Sequence, residues 1–162
     1  MDLKGQHAVS FQMVRGLAIE CHALDLSAYE LLLFPVHDDR RGKTKATYDE
    51  LLTSKMLALA IALRTKFYQG VPYEGTHWYL EHVGSLEGGR RDAMGETKFT
   101  LKDACDKIIH ADSVVRRFEG QSEKPKTILE GTGPGKDRWT LSFSLSLLAD
   151  CVLWWLEDVE ET

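Results

Sequence analysis

The sequence predicts an α+β fold, mainly helical, with a three-stranded antiparallel meander followed by a C-terminal helix. Three observations carry this expectation. Up to about residue 111, apolar residues recur every three or four positions, the period of amphipathic helices. Between Ser113 and Phe143 the pattern shortens to runs of branched and aromatic residues set between turn signals. After Ser144 the helical period returns. One domain is expected over 1–162, helical over 1–111, with the meander over 112–143 and the last helix over 144–160.

Ser10 is placed to cap a first helix running to about Leu24, with Phe11, Val14, Ala18 and Cys21 on its inner face. Ser27 and Glu30 have capping-box spacing, which predicts a separate short helix (Y-E-L-L-L-F) that stops near Pro35. H-D-D-R-R-G-K-T-K then reads as a charged loop. Thr47 and Glu50 repeat the capping-box spacing and open the longest helix, whose core stripe is Leu52, Met56, Leu59, Leu63 and Phe67. Gly70 and Pro72 end it. Tyr73, Trp78, Tyr79 and Leu80 suggest a short helical turn, and G-S-L-E-G-G-R-R-D-A-M-G-E reads as an exposed loop.

Thr100 and Asp103 form a third capping box, opening T-L-K-D-A-C-D-K-I-I-H-A. Leu101, Ala104, Cys105, Ile108 and Ile109 share one apolar face, while Asp103, Asp106, Lys107 and His110 lie opposite. Strands are expected over Ser113–Glu119, Lys126–Thr132 and Arg138–Phe143. G-T-G-P-G-K, from Gly131 to Lys136, is a hairpin turn rather than a phosphate loop, because Asp137 follows the lysine and a strand comes next. Ser144 or Ser146 caps the last helix, with Leu147, Leu148, Cys151, Val152, Trp155 and Val159 inward.

Composition narrows the function. Apolar residues are 43%, charged residues 28%, and the formal net charge is −5, so the field of the molecule opposes a polyanion. Cys21, Cys105 and Cys151 are an odd number within apolar helical patterns, which predicts buried free thiols and a reducing cytoplasm. M-D-L-K-G-Q-H is not the start of a secretory signal, and the apolar run Met56–Leu63 is far short of the roughly 20 residues that span a bilayer. No metal or cofactor is expected. The consecutive His37–Asp39 cannot all face one ion, and His77 and His82 do not have the H-E-x-x-H spacing.

His110 is the sharpest catalytic candidate. Asp106 lies one helical turn before it, and both this carboxylate and the helix C-terminus favour the charged imidazole. A histidine oriented by Asp106 suits general acid–base work. The preferred alternative is a capping histidine bonded to its own helix and to Asp106.

C-D-K-I-I-H resembles the R-N-x-x-x-H signature of HEPN-type ribonucleases. The resemblance implies an all-helical domain that dimerises to pair two motifs over an RNA backbone, with His110 as the family histidine. Asp106 stands where asparagine is usual. Cys105 occupies the place of the catalytic arginine, and a cysteine cannot stabilise a phosphate. The helix–meander–helix arrangement over the last third of the chain also resembles small bacterial proteins of unassigned function, which implies no activity.

Binding residues are expected at Trp154, Trp155, Arg116 and Arg117. Arg40–Arg41, Arg90–Arg91 and Arg116–Arg117 are basic pairs. Trp154 and Trp155 lie about 100° apart on a helix, so one fills the core and the other reaches the rim. The tail E-D-V-E-E-T sets acids against the helix dipole, which calls for arginines from a second subunit or from Arg116 and Arg117 of the same chain. The leading expectation is therefore a non-enzymatic bacterial-type cytoplasmic protein acting through macromolecular binding or self-association, as a homodimer through the last helix. The competitors are a divergent metal-independent ribonuclease using His110 and Asp106, with RNA as partner, and an inhibitor or accessory factor from a mobile element.

Overall fold

The computed structural model describes residues 9–33, 42–88, 99–119 and 124–161. The loop at His37–Asp39 and the pairs Arg40–Arg41 and Arg90–Arg91 lie outside them. Helix α1 spans Phe11–Ala28, and Ser10 caps it by accepting from the Met13 amide at 3.0 Å. The expected break near Leu24 is absent. Ser27 donates its hydroxyl back to the Leu24 carbonyl instead of capping a new helix, and the chain runs on into a π-helical turn at Tyr29–Leu33.

Helix α2 spans Gly42–Tyr68, so it is already formed five residues before Thr47. It ends in a Schellman motif: Val71 N–H bonds Lys66 O and Gly70 N–H bonds Phe67 O, with Gly70 at φ +90°. A 3₁₀ turn at Glu74–Thr76 leads into the short helix α3, His77–Leu80. Helix α4, Leu101–Ile109, carries the full capping box between Thr100 and Asp103. Its Leu101, Ala104, Cys105 and Ile108 are buried, as the period requires.

The sheet has four strands, one more than the meander. Strand β1 (Gly84–Gly88) precedes α4, and β2 (Ser113–Arg117), β3 (Lys126–Thr132) and β4 (Arg138–Phe143) follow it, all antiparallel in the order β1-β4-β3-β2. The stretch expected as loop from Gly84 thus adds an edge strand, Leu86 facing Leu141. Val114, Leu129 and Leu141 share the covered face, and Val115, Ile128 and Ser142 the opposite one. Helix α5, Leu145–Glu160, is capped by Ser144 and packs on α1, which in turn packs on α2. The result is an α+β domain with helices on one face of an antiparallel sheet. No helix among the described residues is long and apolar enough to cross a membrane.

Candidate functional site

The capped helix α4 delivers His110 to the surface, where it serves as the C-cap through its own backbone amide and the Asp106 carbonyl, 3.0 Å apart. The two acids do not orient its imidazole. Asp103 takes the Thr100 amide and hydroxyl at 2.7 and 2.9 Å. Asp106 accepts from Arg64 of α2 and, at 3.1 Å, from Lys102. Asp106 thus belongs to an Arg64–Asp106–Lys102 cluster joining α2 to α4.

Burial works against the Arg64 charge, but the Tyr68 hydroxyl at 3.0 Å and the Asp106 carboxylate outweigh it and hold its pKa above the ordinary value. Arg64 was not legible as a site residue, because its partner lies 42 positions away. Cys105, where the resembled motif has arginine, is buried, and burial pushes its thiol far up, so it offers neither a cation nor a thiolate.

A second polar centre lies inside the fold. Asp25 of α1 is 0% exposed, and its carboxylate accepts from Arg116 of β2 and from the Ser146 amide at 2.8 Å. Arg116 also donates to Tyr48 Oη at 2.8 Å and to Thr127 Oγ1 at 3.3 Å, while Tyr48 donates to the Leu24 carbonyl. Lys124 Nζ donates to Ser146 Oγ at 2.9 Å. This network ties α1, α2, β2, β3 and the start of α5 together, with the Asp25 charge at a helix N-terminus. Arg116 is thus engaged inside the molecule, whereas Arg117 is exposed, opposite Lys126 in register.

The two tryptophans of α5 divide as expected. Trp155 is 3% exposed, donates its indole N–H to the Pro72 carbonyl at 2.7 Å and meets the rings of Phe67 and Phe11 edge-on. Trp154 is 63% exposed. Two of the four tail acids find partners in the same chain, though not the arginines of β2: Glu160 pairs with Arg15 of α1, and Asp158 accepts from Tyr79 of α3 at 3.0 Å. Leu147, expected inward, is exposed.

The Gly131–Lys136 segment is the β3–β4 hairpin, closed by Gly133 N–H to Asp137 O at 2.7 Å. A cleft of about 310 Å³ beside it is lined by Asp112, Glu130, Thr132 and Arg138, and the Thr132 hydroxyl donates to the Asp112 carboxylate at 3.4 Å. No cluster of three or more metal-ligating side chains occurs among the described residues. No family model, curated protein or solved structure matches the chain.

Proposed function

We propose that this chain is a non-enzymatic binding protein whose α5 face takes a cationic segment of another protein. The observation that carries the reading is the exposed Trp154, flanked one turn away on α5 by Asp150, Glu157 and Asp158 and two turns away by Glu161. Trp78 and Tyr79 of α3 add further exposed aromatic surface beside Asp158. Helix α5 contains no lysine, arginine or histidine. An indole face attracts guanidinium and ammonium groups, carboxylates give them charge-assisted hydrogen bonds, and exposed tryptophan is a recurrent binding anchor. Three buried free thiols support a reducing compartment.

Titration with an arginine- and lysine-rich peptide, followed by intrinsic tryptophan emission, tests this. The native chain should bind it in a salt-sensitive way, and Trp154→Ala should weaken binding by about tenfold or more. Equal binding by Trp154→Ala would reduce the effect to net charge and defeat the reading.

One observation favours the ribonuclease as a second reading. Arg64 brings to Asp106 the guanidinium that this chain lacks at Cys105, where the resembled motif has arginine, and His110 stands exposed one turn beyond Asp106. Metal-free incubation with single-stranded and structured RNA distinguishes the two. Cleavage lost in both His110→Ala and Arg64→Ala, with folding intact, would put catalysis first.

A further inference from the structure

We infer that the outward face of α2 pairs with the same face of a second copy, the two helices running antiparallel about a two-fold axis. Helix α2 has 27 residues and is thus about 40 Å long. Its inner face, from Tyr48 to Phe67, is buried against α1 and α4. A surface helix ordinarily carries charge on the opposite face. This one does not.

From Leu51 to Tyr68 there is no acid, and each of the three cations is turned sideways to a partner in its own chain. Lys55 pairs with Glu20 of α1 at 2.7 Å, Arg64 with Asp106 of α4, and Lys66 sits 4.4 Å from the centre of the Phe11 ring. What remains outward includes one stripe, Leu51, Ser54, Ala58, Ile61, Thr65 and Tyr68, with Thr53 and Leu57 exposed on its flank; Ile61 is 49% and Tyr68 79% exposed. The Thr65 hydroxyl donates to the Ile61 carbonyl at 2.9 Å, which leaves its methyl group to the surface.

The spacing and the order of sizes identify the occupant. These positions advance by three and four residues in alternation, the repeat of a helix-pairing seam. Laid antiparallel on itself, the stripe sets Leu51 against Tyr68, Ser54 against Thr65 and Ala58 against Ile61, so large meets large at the ends, two small hydroxyl residues meet next, and at the centre Ala58 leaves room for Ile61. The same face serves both copies, as a closed two-fold requires, and the opposed helix dipoles attract. An uncharged stripe also lets two chains of net charge −5 approach without setting like charges against each other. About 25 Å of helix contact lies at the lower end of stable interfaces, so pairing is expected at micromolar rather than nanomolar concentration. Because the stripe lies on the face of α2 turned away from α1, on which α5 packs, the dimer leaves the Trp154 face open; the inference does not rest on the reading of that face.

Sedimentation and cysteine crosslinking test it on the intact chain. At about 100 μM the native protein should sediment at twice its 18.3 kDa mass, and Ile61→Glu should sediment as a monomer with an unchanged thermal melt. Trp154→Ala should remain dimeric. Mixing Ser54→Cys chains with Thr65→Cys chains under mild oxidation should give a covalent dimer. Ser54→Cys alone should not, since its two copies would lie roughly 16 Å apart along the axis. The native cysteines are buried and do not compete. A monomeric native chain overturns the inference, as does an Ile61→Glu chain that stays dimeric. Crosslinking of Ser54→Cys with itself shows a parallel pair and overturns the register.

Discussion

Asp25 and Arg116, 91 positions apart in the chain, form an ion pair inside the fold. The carboxylate is wholly buried and its second oxygen holds the Ser146 amide at the start of α5, so one aspartate joins a helix, a strand and a helix terminus. Removing one member of such a pair leaves an uncompensated buried charge and costs about 3–5 kcal/mol. Asp25→Ala and Arg116→Met should each lower stability by that order in urea titration. The double variant should cost clearly less than the sum, because neither charge is then stranded. Additive losses would show that the two residues act separately.

Helix α4 depends on its apolar face. Ile108 is buried there beside Leu101, Ala104 and Cys105, and Ile108→Ala should cost about 2–5 kcal/mol, the usual range for a large-to-small core change. His110→Ala, at the exposed C-cap, should leave the urea midpoint nearly unchanged. A large loss for His110→Ala with little for Ile108→Ala would reverse the assignment of faces.

Local signals were legible and distant ones were not. The Thr100–Asp103 box, the bounds of β3 and β4, and the division between Trp154 and Trp155 follow from residues within two turns of one another. Ser27–Glu30 has the spacing of a cap, but the Ser27 hydroxyl found a carbonyl in its own helix, an alternative always open to serine. β1 was hidden by its glycines, which read as loop punctuation. Their reason is close approach: a Cβ on Gly84 would lie 2.2 Å from the Ser142 carbonyl oxygen, and Gly88 has φ +80°. The pairs Asp25–Arg116 and Arg64–Asp106 were invisible because only the tertiary fold brings them together.

Gly131 offers a sharper test of close packing. Its position opposite Trp139 in the β3–β4 register leaves the indole no room for a side chain, and a Cβ would fall 2.2 Å from ring carbon Cζ2. Lys107 Nζ lies over the same ring, 4.3 Å from its centre. Gly131→Ala must therefore displace the ring or spread the strands, at about 1–3 kcal/mol. The near-ultraviolet circular dichroism of the tryptophans should change with it. A variant with native spectrum and stability would show that the hairpin yields freely.

The three thiols predict a loss of stability in alkali. Burial pushes Cys21 and Cys151 from the ordinary 9.0 up to about 12, and Cys105 moves the same way. A raised folded pKa means that the native state keeps protons the unfolded chain gives up. This contribution is fully present below the unfolded value near 9.0 and is lost progressively as pH rises towards about 12. The urea midpoint should fall across that window, and Cys21→Ala with Cys151→Ala should flatten the fall. At neutral pH all three thiols should resist a disulfide-exchange reagent until denaturant is added, since protonated, buried sulfur is a poor nucleophile. Rapid reaction of any of them in the native protein would mean that α1, α4 or α5 opens far more readily than its packing implies.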